Sequence, residues 1–232
     1  MTHQVFEQAS DPCEEAVVRP YAYQLRGLEP RTSHPFHTYE HILRQPEVVA
    51  ETLGTSVEHI HSIALQLADK AQRYILTGVG SSYHVALASS QLLGRIAGVE
   101  AEALDSYEWL TSHLVRRLSD TVAVGYSTSG RTQETLAALE HARQQGTWCL
   151  GVTCQPQSLL AELCDAVLIA AGGQGYVFDY SSRLAMTYLL ALELAAVLGK
   201  ASADLEAIRR SLRNLPALLQ ETLQRIERSC QA

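Results

Sequence analysis

Seven residues near the middle of the chain, Tyr126-Ser-Thr-Ser-Gly-Arg-Thr132, hold four serine or threonine hydroxyls and one glycine. They follow an apolar run, Thr121 to Gly125, and precede an amphipathic one that starts at Gln133. That places them where a strand becomes a helix. The first N–H groups of a helix lack partners and carry a positive partial charge, so the position suits an anion of phosphate size. Ser127, Thr128, Ser129 and Thr132 add neutral donors without bulk, and Gly130 lets the backbone come close. A second junction of the same type is Thr77-Gly-Val-Gly-Ser-Ser-Tyr83, with Gly78, Gly80, Ser81 and Ser82. Ser181 and Ser182 form a third, read as the start of a long apolar helix. Any one of these clusters is most simply a helix N-cap. Three of them in one chain point to a shared ligand.

Other chemistries fit less well. Gly78-Val-Gly-Ser-Ser-Tyr83 begins like the dinucleotide fingerprint G-x-G-x-x-G but ends on Tyr83, with Glu100 and Glu102 near the acidic position. No Gly-Lys-Ser/Thr occurs, which removes the P-loop. His37 and His41 share a helical face with Glu40 between them, and His59 and His61 are close in sequence. Neither pair has the further ligands a metal site needs. No metal or cofactor is expected.

The elements that must position these junctions follow from periodicity. Residues 1–36 have no sustained pattern and read as a tail or arm; residues 37–70 read as N-terminal helices, with Pro46 kinking or splitting the first. From Arg73 short β-rich runs alternate with helical ones, giving strands at RYILTGV, VEAEAL, DTVAVGYS, TWCLGVT and DAVLIA. Such alternation argues for βαβ units, and strands that are apolar throughout argue for helices on both faces. The expected fold is α/β, a three-layer αβα doubly wound parallel sheet of five strands over 71–200. Residues 201–232 read as two closing helices, the second with Pro216 at its first position. The apolar helix LAMTYLLALELAAVL is either a core helix or, in part, a dimer face.

Composition narrows the partners. The 232 residues are 47% hydrophobic, with a formal net charge of −7 and a pI near 5.7. That gives no basic footprint for nucleic acid or an anionic membrane surface. No run of about 18 apolar residues is present for a membrane span, and the first residues lack the pattern of a signal peptide. The five cysteines are an odd number without a C-x-x-C pair, and Cys149, Cys154 and Cys164 lie in or beside apolar runs. A cytoplasmic protein without disulfides is expected.

The segments ILTGVGSSY, YSTSGRTQETLAAL and SSRLAMTYLLALELA resemble, in order, the three signature segments of the sugar isomerase (SIS) domain family. The lead-in TYEHILRQPEVVAETL is similar to the entry helix of the isomerase half of glucosamine-6-phosphate synthases. It is equally similar to related ketose/aldose isomerases and deaminases of amino-sugar phosphates. The resemblance runs from about Thr38 to the C-terminus. It implies that Gly80, Ser81, Ser82, Ser127, Thr128, Ser129 and Thr132 hold the phosphate of a sugar or amino sugar, and that Ser181 lines the sugar. Arg131 departs from the acidic residue common at that place in the family loop.

The same resemblance leaves catalysis open. In two-domain relatives the proton-shuttling glutamate and the ring-opening histidine come from a second SIS domain, for which this sequence has no counterpart. Single-domain relatives that isomerise heptose phosphate use a glutamate on the helix after the first serine loop. Here no Asp or Glu lies between Asp69 and Glu100; the helix carries His84, Gln91 and Arg95. The remaining acid–base candidates are Glu108, on the ligand-binding edge of the sheet, and His84, two residues after Ser82. Each reads equally as a surface side chain. Three functions stand. The first is an isomerase or deaminase whose site is completed by a second copy in a homodimer or higher oligomer. The second is a non-catalytic phosphosugar sensor, or half of a split enzyme with a partner SIS polypeptide. The third is a folded fragment without activity.

Overall fold

The computed structural model describes residues 31–55, 57–70, 73–111, 120–173, 176–200 and 202–230. The expected N-terminal arm lies almost wholly outside them. Helices α1 (His37–Leu43) and α2 (Gln45–Leu53) are separated at Arg44, one residue before the proline-bearing first turn of α2. Pro46 therefore splits the lead-in, since the residue before a proline turn leaves the helical ladder readily. Then follow α3 (Val57–Lys70), β1 (Arg73–Gly78) and α4 (Ser81–Leu92), which continues into a π-helical turn, Leu93–Ala97. Next are β2 (Glu100–Asp105), α5 (Ser106–Thr111), β3 (Thr121–Tyr126), α6 (Gln133–Gln144) and β4 (Trp148–Thr153). The chain continues through α7 (Leu159–Leu163), β5 (Ala166–Ile169), α8 (Tyr176–Val197) and α9 (Ala203–Cys230).

All five strands are parallel, in the order β2-β1-β3-β4-β5. Alternate residues divide the sheet between two cores. Tyr74, Leu76, Val122, Val124, Leu150 and Val152 pack with α3, α4 and α8. Ile75, Ala123 and Cys149 face α5, α6 and α7 through Trp109, Ala138, Leu139, Ala142 and Leu160. The helix after β1 thus covers one face and the helix after β3 the other. At their carboxyl ends these neighbouring strands part, which makes the crevice between them the switch point of the sheet.

Helix α8 is apolar nearly all round because it is enclosed. Met186, Leu190, Ala191, Leu194 and Ala195 are buried between the sheet, α2 and α3. It is a core helix. Among the described residues no helix is long and apolar enough to cross a membrane.

Two details differ from the sequence reading. Helix α8 begins at Tyr176, five residues before Ser181, the start expected from the sequence. Asp179 in its first turn accepts the Gly173 N–H at 2.8 Å, which ties the preceding loop to the helix start. The C-terminal segment is one helix, with Pro216 inside it. The proline removes one hydrogen bond and costs about 3 kcal/mol. Ahead of it Leu212 is buried, and Leu205, Ile208 and Leu215 pack partly buried against the domain core. The helix nonetheless runs on through Pro216 to Cys230.

Glu193 ties three helices together. It sits on α8 at 7% exposure, and its Oε1 accepts from Arg209 Nη1 of α9 at 2.8 Å. Its Oε2 lies 3.2 Å from His61 Nδ1 of α3. Removing it leaves Arg209 facing a hole. Glu193→Ala is expected to lower unfolding free energy by about 1.5–3 kcal/mol, read as a shift in urea midpoint at constant slope.

Candidate functional site

The loops leaving β1 and β3 meet at the switch point. Gly78 lies directly under α4: a Cβ there would sit 2.8 Å from the Ser82 carbonyl carbon, so only glycine lets the helix start this close to the strand. Gly80 turns the chain with φ 57° and ψ −123°, and α4 then starts with no side chain capping it. Ser81 is exposed, while Ser82 is 8% exposed. His84 is also exposed, and its Nδ1 lies 2.9 Å from the Gly80 carbonyl oxygen. Its ring is engaged with the turn itself.

The second loop is held by β4 and the segment after it. Ser127 N–H donates to Val152 O at 3.1 Å, Cys154 N–H to Thr128 O at 3.1 Å, and Leu160 N–H to Gly130 O at 3.0 Å. The Thr153 hydroxyl donates to the same Thr128 oxygen at 3.1 Å. Gly130 has φ 61°, and a Cβ on it would collide with the Ser158 hydroxyl. The Ser127 and Thr132 hydroxyls pair with each other at 2.9 Å. Ser129 Oγ accepts the Arg131 N–H at 3.3 Å. Thr132 occupies the N-cap of α6 without capping it. By contrast, Ser158 caps α7 in the ordinary way, accepting from Ala161 N–H at 3.3 Å. The hydroxyls at the two converging helix starts are therefore not spent on capping, which is what the simplest reading of these clusters required.

The structure brings Gly80, Ser81, Ser82, Ser127, Thr128, Ser129 and Thr132 to one edge of the sheet. Ser181 stands apart from a helix N-terminus, in the second turn of α8, where its hydroxyl donates to Gln45 Oε1 at 2.9 Å. This corrects the sequence reading of Ser181 and Ser182 as the helix start. Glu108 is exposed on α5, which follows β2 on the same edge and packs against α6.

One residue at the site was passed over in the sequence. Arg183, on α8, is 1% exposed; its Nη1 donates to Ser82 Oγ at 2.7 Å and its Nε to the Asp179 carbonyl at 2.9 Å. Burial lowers its pKa, while Cys154, Asp179, Tyr126 and Tyr180 act in the opposite sense. Arginine keeps its charge in any such setting. The neighbouring Cys154 thiol is pushed up to about 12 by burial, and so stays neutral. Below Arg183 lies a closed hydroxyl cluster. Thr187 donates to the Arg183 carbonyl at 3.1 Å and accepts from Ser89 at 3.1 Å, with Tyr126 OH 3.1 Å away. The signal for Arg183 was present in the sequence: a single cation in the apolar run SSRLAMTYLL.

The SIS domain family model matches residues 66–198, more than half of the chain. The chain belongs to the SIS-domain family. It is 29% identical over 222 residues to glutamine–fructose-6-phosphate aminotransferase (isomerizing) of Thermococcus kodakarensis, covering 92% of this chain and 36% of that protein. It therefore spans about a third of the length of that curated relative. Its fold matches the C-terminal domain of glucosamine-fructose-6-phosphate aminotransferase from Francisella tularensis with TM-score 0.73 at 18% identity, over 82% of this chain and 56% of that one. A glucosamine-6-phosphate deaminase from Thermotoga maritima matches with TM-score 0.64 at 21% identity, over 79% of this chain and 53% of that one.

The two loop glycines of this SIS domain separate two kinds of constraint. Gly80 has open space where a Cβ would be, whereas Gly130 has Ser158 there. Gly80→Ala is expected to cost only backbone strain, about 1–3 kcal/mol. Gly130→Ala adds a collision worth about 1–3 kcal/mol more. Chemical denaturation of the two variants checks the order.

Proposed function

We propose that this SIS domain binds a phosphorylated sugar or amino sugar at the carboxyl ends of β1 and β3. The phosphate is held by Ser81, Ser82, Ser127, Thr128, Ser129 and Thr132 with Gly80, and the sugar extends toward Ser181. The observation that carries this reading is the pair of helix starts, α4 and α6, which follow the neighbouring strands β1 and β3 and carry no side-chain caps despite the hydroxyls around them. Membership of the SIS family supports the same ligand class.

The reaction we assign is aldose–ketose isomerisation or deamination of a hexose or amino-sugar phosphate, with the site completed by a second subunit in a homo-oligomer. Such chemistry needs a carboxylate or imidazole within reach of C1 and C2. Within one chain the candidates are Glu108 and His84, both exposed. A second copy, or a partner SIS polypeptide, supplies what the single chain lacks. One observation favours the alternative reading, a sensor or half-site that binds without turnover: α4 carries no carboxylate along its whole length.

Incubation with fructose 6-phosphate in deuterated water, followed by NMR, separates these readings. Ligand shifts with deuterium entering at C1 of the ketose or C2 of the aldose product, or with conversion, are expected of the isomerase; shifts without exchange identify the sensor. No shift with fructose, glucosamine or tagatose 6-phosphate removes the cradle. Ser129→Asp is expected to weaken binding by about 100-fold or more through like-charge repulsion, with the fold intact by circular dichroism. If turnover is found, Glu108→Gln is expected to slow it, and unchanged turnover excludes Glu108 as acid or base.

A further inference from the structure

Burying a guanidinium is costly, and the cost is recovered only when charged or well-bonded partners surround it. Arg183 is 1% exposed, yet its two direct partners, the Asp179 carbonyl and the Ser82 hydroxyl, are neutral oxygens. No carboxylate is among its direct hydrogen-bond partners in the described residues. Asp179, one turn away on the same helix, acts on the guanidinium as a negative charge, and its Oδ1 accepts the Gly173 N–H at 2.8 Å. The other groups around Arg183 are Cys154, Tyr126 and Tyr180. None of these supplies a second anion.

The direction of the Ser82 bond matters. Arginine can only donate, so at 2.7 Å Ser82 Oγ must be the acceptor. The single Ser82 proton is then left to point elsewhere. Ser82 lies in the first turn of α4, beside the Gly80 turn and within the region assigned to the phosphate. A hydroxyl that accepts from a cation is a stronger donor in its turn. Arg183, Ser82 and an anion at the helix start form a line of two hydrogen bonds, which sets the anion about 5–6 Å from the buried charge.

We propose that Arg183 is a positioning and specificity residue which, acting through Ser82, makes the cradle selective for a dianionic phosphate monoester over a monoanionic ester of the same shape. The inference rests on the phosphosugar reading above. Neutral hydroxyls and N–H groups respond to the shape of an anion; a buried full charge responds to how much charge the anion carries. At that separation and an effective dielectric of about 20, the second negative charge of a phosphate is worth on the order of 100-fold in affinity.

The test compares fructose 6-phosphate with fructose 6-sulfate by calorimetry at pH 8 on the full chain. The phosphate is then a dianion, its second pKa being about 6, and the sulfate ester is a monoanion. The parent is expected to prefer the phosphate. Arg183→Gln keeps a donor for Ser82 and removes the charge; it should lower that preference by at least about tenfold while binding of the sulfate ester changes little. Arg183→Lys should keep most of the preference. A purely structural role would weaken both esters together and leave their ratio alone. An unchanged ratio in Arg183→Gln, with the parent binding well, overturns this inference and leaves the cradle standing. A parent that binds neither ester overturns both. Should Arg183→Gln fail to fold, Arg183→Lys decides: retained preference supports the proposal, and lost preference at an unchanged melting temperature overturns it.

Discussion

Between β1 and β3, two hydrogen-bonded neighbours send their chains to opposite faces of the sheet, and the rest of the molecule is arranged around that divergence. Parallel strands cannot be joined by tight turns, so each must be followed by a crossover that covers one face. In the order β2-β1-β3-β4-β5 the crossovers change sides once, between the central pair. The crevice that opens there is bordered by the starts of α4 and α6 and by the small hydroxyl residues around them. Every further feature of the site tightens this geometry. Gly78 lets α4 begin against the strand, and β4 holds the Ser127–Gly130 loop from the other side.

The electrostatics follow an economical plan. The chain carries a formal charge of −7, and the switch point is built from hydroxyls, amides and glycines rather than from a basic cluster. Attraction for an anion is thus local and short in range. The full positive charge on Arg183 is buried beneath the first loop and donates to Ser82. Beneath the guanidinium, Thr187, Ser89 and Tyr126 complete one another's hydrogen bonds, so this polar layer does not draw water into the core. The arrangement keeps α8, β3 and α4 in fixed relation where the two loops emerge.

Much of this was legible in the residues, for identifiable reasons. β1, β3 and β4 were visible because buried parallel strands are apolar along their length, and β3 is buried at every position; β2, at the sheet edge with Glu100 and Glu102, was visible from its place in the strand–helix alternation. The two hydroxyl-rich junctions were visible because small donors and glycine at a strand-to-helix boundary have few uses. The start of α8 was not. Tyr176 to Tyr180 have no strong helical pattern, and the helix begins there because Asp179 binds back to Gly173, a contact that exists only once the loop has folded. Pro216 misled because a proline between two helical runs reads as a boundary, whereas here one helix passes through it. Arg183 was hidden by convention, since a lone cation in an apolar helix is usually assumed to reach solvent. Its burial depends on a serine 101 positions away in the chain.

The long last helix has a consequence of another sort. Tyr39 on α1 hydrogen-bonds Glu227 on α9, and α9 packs along α2, so the first and last helices lie side by side. Among the described residues, the helices at the two ends of the domain therefore meet along one seam. A fold whose entry and exit coincide can be set into a loop of another protein without pulling either apart, or reopened at a new point after its ends are joined. The crevice at the carboxyl ends of β1 and β3 is formed by elements that lie between the two sides of that seam in the chain, so a change at the seam reaches it through α2, α3 and α8.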